Sequence, residues 1–290
     1  MKKIAITSDC NAGLDYIGYD SEIPVLRSVI NFGDDHYVDG TDIKCDEFYE
    51  KLKDTPTIPS TSAPTLGETM ELIESLIEEG YTDIIHYPIS FKLSGTGSTF
   101  LNLKEEYKDK INIHVFDTKV AAFPQAYLAL EAKRLVKEGK SVEEILDHSK
   151  TLLENSKIYL LVDDLNYLVK NGRLSGFSGT IANILKIKPI LHLTEEGRIE
   201  TFEKVRTHTK ALEKIIENVK NELADSKKYK VVMLHTVRME AALKIKEHLT
   251  ELLPNLADEI EIHQVTPAVG AHVGRGILAV GYFKLDEVKN

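Results

Sequence analysis

Cysteine is nearly absent from this 290-residue chain: only Cys10 and Cys45 occur, with no CxxC pair. That excludes a disulfide-stapled scaffold and a thiolate metal site. No secretory pattern opens the chain at Met1-Lys2-Lys3-Ile4, so a reduced, cytoplasmic protein is expected. Long hydrophobic runs are missing too; none approaches the roughly 20 residues of a membrane span. Basic charge is in deficit, with 36 Lys and Arg against 46 Asp and Glu and a net of −10. This argues against nucleic-acid binding and a polybasic membrane mode, leaving room for transient contact with a membrane surface.

The usual catalytic signatures fail one by one. Gly95-x-Gly97 lacks the third glycine of a dinucleotide loop, because position 100 is Phe. Gly139-Lys140-Ser141 imitates the end of a P-loop, but position 134 is Arg. Gly176-Phe177-Ser178-Gly179 has the wrong spacing for a nucleophile elbow. No HExxH occurs, and the ten histidines show no paired ligand spacing, so no metal and no cofactor are expected. His86 and His114 fall within strand patterns and read as packed or surface histidines.

What is present is a set of glycine- and hydroxyl-rich loops on an α/β pattern, with 42% hydrophobic residues to build cores. The first, Ser90-Phe91-Lys92-Leu93-Ser94-Gly95-Thr96-Gly97-Ser98-Thr99, joins the apolar run 83–89 to the helical pattern 100–105. Such strand-to-helix loops hold ligands in open α/β sheets. Glycines admit a close anion, and hydroxyls add uncharged donors suited to a carboxylate or phosphate. The second, Ser60-Thr61-Ser62-Ala63-Pro64-Thr65, is stiffened by proline and leads into a capping box, Thr65 with Glu68. Leu66, Met70, Ile73, Leu76 and Ile77 then form one helical face. The third is Gly270-Ala271-His272-Val273-Gly274-Arg275-Gly276, where His272 is expected to face a ligand from a loop.

Strands are expected at 3–7, 23–30, 83–89 and 111–116, with a hairpin return at Tyr37-Val38 and helices at 46–52, 120–137 and 142–153. Their alternation spells a parallel sheet covered on both faces, with the loops after Thr7, Ile89 and Phe116 at one edge. Near Ser156 the pattern changes. A strand at 157–162, a short helix from Leu165 and a helix at 181–185 precede a hairpin around Glu195-Glu196-Gly197. Helices at 209–223 and 240–252 alternate with strands at 231–235, 259–265 and 277–282, implying a mixed sheet with helices on one face.

Taken in order, these pieces resemble the DegV family of fatty-acid-binding proteins. The resemblance rests on Thr61-Ser62-x-Pro64-Thr65, Ile89-Ser90-x-x-Leu93-Ser94-Gly95-Thr96 and Phe116-Asp117-Thr118. It continues through Leu168-x-x-x-Gly172-Arg173-Leu174-Ser175, Lys188-Pro189-Ile190-Leu191, Lys204-Val205-Arg206-Thr207 and Gly270-Ala271-His272-x-Gly274. Departures are Ala63, Thr65, Thr118 and Arg275, the last standing where proline is common. The resemblance implies an α/β fold of two domains. These are an α/β/α sandwich with a mainly parallel sheet at 1–156 and a two-layer α/β domain with a mixed sheet at 157–290. One long-chain fatty acid would lie between them. It implies that Thr61 and Ser94 bond the carboxylate, that Ser62, Gly95 and Thr96 shape the pocket, and that His272 reaches in. It also implies a carrier rather than an enzyme, presenting its ligand to a fatty-acid kinase, with Arg173 and Arg206 matching arginines that serve docking or phosphate; Arg275, a departure from the pattern, is a further candidate for that role. The rival is a kinase subunit related to the dihydroxyacetone kinases, whose fold is similar; it needs a covalent-substrate histidine or a nucleotide site, and only His272 could serve. A plain interaction protein is a third reading.

Overall fold

The computed structural model describes residues 3–174, 188–256 and 258–286. The expected helix at 181–185, Ser175 and the 176–179 motif lie outside them. Along the first half run β1 (Ile4–Asp9), β2 (Val25–Leu26), β3 (Val29–Phe32), β4 (Asp35–Val38), α1 (Cys45–Asp54), β5 (Ser60–Ser62) and α2 (Leu66–Glu78). Then come β6 (Asp83–Tyr87), α3 (Ser98–Tyr107), β7 (Asn112–Val115), α4 (Phe123–Lys137) and α5 (Val142–Glu154). Strands β2-β1-β6-β7 form a parallel sheet. Its central strands are buried on both faces, which is why they read as unbroken apolar runs. Ala5, Ile84 and Ile113 pack with Ile73 and Leu76 of α2 and Phe100 and Leu103 of α3. Ile4, Ile6, Ile85 and Tyr87 face Ala126 and Ala129 of α4 and Ile145 and Leu152 of α5.

The expected capping box starts α2: the Glu68 backbone N–H donates to Thr65 Oγ1 and the Thr65 N–H to Glu68 Oε2. Leu66, placed on the apolar face by its spacing, is instead 47% exposed in the first turn. The run read as one strand from Ile23 to Ile30 is two. The Arg27 guanidinium, donating to both Asp15 oxygens at 2.8 Å and to the Asp39 carbonyl, turns the chain between β2 and β3. β3 then leaves the parallel sheet for a separate antiparallel one, β4-β3-β5. The Thr61 segment is therefore a paired strand, with Thr61 opposite Ile30, and not a free loop.

The second half comprises β8 (Ser156–Leu161), α6 (Asn166–Lys170), β9 (Lys188–Leu193), β10 (Ile199–Val205), α7 (His208–Leu223), β11 (Tyr229–His235), α8 (Met239–Leu252), β12 (Glu261–Gln264), α9 (Pro267–Val273) and β13 (Leu278–Lys284). Its mixed sheet has the order β10-β9-β8-β13-β11-β12, parallel only between β11 and β12. Alternation sorts the side chains. Tyr159, Leu161, Val231, Met233 and Val280 pack under α7 and α8. Ile158, Leu160, Val232, Leu234 and Phe283 point the other way and join the core of α4 and α5. The second sheet thus carries its own helices on one face, as expected, and borrows α4 and α5 for the other. At ~1.5–3 kcal/mol for each fully buried side chain of this size, that shared core binds the halves firmly.

One expected loop is a helix. Gly270 to Val273 belong to α9, whose start is written in Thr266 as N-cap and Pro267 in the first turn. Gly274, at φ 73°, ends it. Among the described residues no helix is long and apolar enough to cross a membrane.

Candidate functional site

Parallel strands deliver the loops after β1, β6 and β7 to one sheet edge, where backbone and side-chain bonds lock them together. Asp9, fully buried at the end of β1, accepts from the Ile89 N–H, the Asn11 side chain and backbone, and Gln125 Nε2. Burial raises its pKa against the pull of those donors. Asp117 accepts from the Phe91 and Lys119 N–H groups, and Thr118 Oγ1 donates to the Pro88 carbonyl at 2.7 Å. The Asp117-Thr118 pair therefore braces the Ser90–Thr99 loop. Gly97 is a packing glycine: a Cβ there would overlap the Phe91 ring and Pro88. Gly95 is exposed and has open space where a side chain would be.

The same loop holds Ser94 ready. Its Oγ lies 2.7 Å from Thr96 Oγ1, and the Thr96 N–H donates to it at 3.3 Å. Thr96 is fully buried. When Thr96 gives both hydrogens to Ser94 Oγ, the Ser94 proton is left free for an acceptor in front of it.

Thr61 comes from the three-stranded sheet and His272 from α9, which packs on that sheet and on α1. Their side chains meet at 2.8 Å, Thr61 Oγ1 to His272 Nε2, across 211 residues of sequence. Gly270 makes the approach possible: a Cβ there would stand 2.6 Å from Tyr49 Oη and 2.7 Å from the Phe48 ring. Replacing Gly270 by valine should destabilise the protein by about 1–3 kcal/mol through overpacking, read as a lower urea midpoint. Burial, reinforced by the Arg173 charge, lowers the His272 pKa to about 4, so the imidazole is neutral near pH 7. Its Nδ1 is buried with no partner among the described residues.

These groups line one cavity of about 160 Å³. Asn11, Ser28, Thr61, Ser94, Arg173 and His272 supply its polar wall. Ile89, Leu93 and Ala121 from the first half and Leu168, Ile199, Val269 and Val273 from the second supply the apolar one. At ~30 Å³ per water-sized group, this volume takes a small head group and the first few carbons of a chain. Arg173 spans the halves: Nε donates to the Leu93 carbonyl at 3.2 Å and Nη1 to the Asn171 carbonyl. Ala122, beside Ala121, holds φ 57° and ψ −149°, a region essentially reserved for glycine. Strain of this kind collects at ligand sites.

Other expected residues fall elsewhere. Ser62 alternates away from Thr61, is exposed and accepts from Asn31 Nδ2 at 3.1 Å. Thr96 acts behind Ser94 and does not line the cavity. Arg206 is exposed past the far end of β10, seven residues from Ile199, or ~23 Å of extended strand. Arg275 turns onto α1, donating to the Tyr49 carbonyl and lying 3.7 Å from Glu50. Conversely, Asn11 and Ser28 line the cavity without having been singled out in the sequence. The sequence signal for Asn11 is its place in the loop after Thr7, and Ser28 has none.

Comparison with known proteins gives consistent matches over the whole chain. A family model described as an uncharacterised protein of the DegV family matches residues 3–285. A DegV domain-containing protein of Streptococcus pneumoniae is 31% identical over 281 residues, covering 97% of this chain and 98% of its own. One from Clostridium acetobutylicum is 32% identical over 285 residues, covering 98% and 100%. Among solved structures, a fatty acid binding DegV family protein from Streptococcus agalactiae superposes with a TM-score of 0.88 at 33% identity, covering 100% of both chains. DegV from Bacillus subtilis, described as a fatty acid binding protein, gives 0.87 at 29%, covering 98% of this chain and 100% of its own.

Proposed function

The chain belongs to the DegV family, and we propose that it is a fatty-acid carrier holding the carboxylate on the Thr61 and Ser94 hydroxyls. The acyl chain would lie between a 1–156 unit and a 157–290 unit. The observation that carries the reading is that both hydroxyls, each bonded to a neighbouring polar side chain, line one cavity whose remaining wall is apolar and drawn from both halves. With the hydrogen of His272 on Nε2, that N–H donates to Thr61 Oγ1 and frees the Thr61 proton for the ligand. Ser94, fed by Thr96, is set in the same way. Each such bond to a charged acceptor contributes about 1.5–3 kcal/mol, whereas each buried CH₂ contributes ~0.8 kcal/mol. The head group therefore fixes orientation and the tail fixes affinity.

Uncharged donors leave the carboxylate able to react, which suits a carrier that hands its ligand to a fatty-acid kinase. Support for this comes from Gly95, which lines the cavity and is exposed, and from Arg173 on the same wall, whose charge would offset an added phosphate. The rival reading, a kinase subunit with His272 as covalent acceptor, draws less support, because Nε2 is engaged by Thr61 and Nδ1 is buried.

A thermal melt tests the binding reading. Palmitate at a hundred times its Kd stabilises by ~2.7 kcal/mol, so the midpoint should rise by about 5 °C or more, while acetate at equal concentration leaves it in place. No shift with palmitate would refute the proposal.

A further inference from the structure

Asp39 follows β4, where the three-stranded sheet turns towards α1, and its side chain is fully enclosed. A carboxylate taken out of water costs several kcal/mol unless its oxygens find donors. Here the one strong donor is on Oδ2, which accepts the Ala268 N–H at 2.8 Å, across 229 residues; the Cys10 thiol adds a weak donor, and no N–H or O–H reaches Oδ1 among the described residues. The groups around it offer little help. Cys10 and Tyr16 approach from the turns after β1, and Cys45 and Tyr49 from α1. Tyr49 spends its hydroxyl on the Val265 carbonyl. Asp15 adds a like charge, and the Arg27 guanidinium bonds Asp15 and the Asp39 carbonyl rather than the Asp39 side chain. Burial accordingly raises the carboxyl to about 7. An acid kept at such cost calls for a reason.

The reason lies in what Ala268 belongs to. It is the second residue of α9, whose first turn leaves N–H groups without partners inside the helix. Thr266 serves the Val269 N–H with its hydroxyl and the Gly270 N–H with its carbonyl. The Ala268 N–H is left to Asp39. Four residues on, ~6 Å along the axis, the same helix presents His272 to Thr61. Thr61 is on β5, and Asp39 follows β4 of the same small sheet. One helix is thus pinned to one sheet at two points, Asp39 with Ala268 at its start and Thr61 with His272 near its end.

We infer that Asp39 is a positioning residue for the head-group site, fixing His272 against Thr61 by holding the first turn of α9. The inference rests on the reading of Thr61 and His272 as head-group residues, and its test separates the two. Palmitate Kd is measured for the wild type, Asp39→Ala, Asp39→Asn, His272→Ala and the Asp39→Ala/His272→Ala double variant. Asp39→Ala should weaken binding tenfold or more. Asp39→Asn, whose amide oxygen still accepts the Ala268 N–H, should stay within about threefold of wild type. In the His272→Ala background, Asp39→Ala should add no further loss. Should Asp39→Ala fail to fold, Asp39→Thr fills more of the site without reaching Ala268 and carries the same expectation. A purely structural residue would lower the melting midpoint and leave the Kd of folded molecules alone. An unchanged Kd, or an equal loss in both backgrounds, overturns the inference. If the wild type binds no palmitate, the fatty-acid reading fails instead, and the ligand-free protein decides the positioning claim. The His272 ring ¹⁵N resonances should then move in Asp39→Ala and not in Asp39→Asn; resonances unmoved in both overturn it.

Discussion

Affinity for saturated fatty acids should rise about fourfold with each added methylene, the factor that corresponds to ~0.8 kcal/mol. Palmitate should accordingly bind roughly 5 × 10⁴-fold more tightly than octanoate. The expectation follows from the wall of the cavity, where Ile89, Leu93 and Ala121 face Leu168, Ile199, Val269 and Val273 across the junction of the halves. The cavity of about 160 Å³ takes only the first carbons, so a longer chain would need further space between side chains, and a slope below fourfold would measure that cost. Competition titrations over a C8 to C18 series give the slope directly. A flat series would show that only the head group is recognised, and the carrier account would fail.

The second large effect is at the head group. Thr61→Val preserves shape and removes the hydroxyl that meets His272 Nε2 at 2.8 Å. Ser94→Ala removes the hydroxyl that Thr96 orients at 2.7 Å. Each loss should cost about 1.5–3 kcal/mol, and the two together should weaken palmitate binding by roughly 10²- to 10⁴-fold. Ser94 is only partly buried, so Ser94→Ala should barely move the melting midpoint of the ligand-free protein, whereas Thr61→Val takes the partner of His272 Nε2 and should lower it modestly. Titration of the single and double variants checks the claim, and wild-type affinity in the double variant would refute it. Ser62→Ala serves as the control, since Ser62 is exposed beside Asn31 and away from the cavity.

How much of this could be read from the chain divides along a physical line. Local signals were reliable. The Thr65 and Glu68 capping box marked the start of α2, and the Ser90–Thr99 glycines and hydroxyls marked the strand-to-helix loop. Glu195-Glu196-Gly197 marked the β9–β10 hairpin. What failed depended on partners far away in sequence. The run from Ile23 to Ile30 reads as one strand until Arg27 is seen bound to Asp15 and the Asp39 carbonyl. Gly270 and Gly274 suggest a loop around His272, yet Thr266 and Pro267 start a helix, and Gly270 serves its contact with Tyr49.

Thr61 and Ser62 are told apart in the sequence only by the family resemblance, and the physical reason lies in strand pairing. In an unpaired loop both hydroxyls are equal; once β5 pairs with β3, alternation turns one inward and the other out. Arg173 and Arg206 also look alike in sequence, and only the length of β10 separates them. Asp39 and Asn11 carry no motif. Their significance lies in enclosure and in what they touch.

The central claim is that one long-chain acid sits with its head on Thr61 and Ser94, and native mass spectrometry of the purified protein tests it most directly. One long-chain monocarboxylic acid per chain should accompany the wild type and be largely missing from the Thr61→Val/Ser94→Ala variant. A wild-type chain that carries no acid and takes up none on incubation with palmitate would contradict the account, as would equal loading of both proteins.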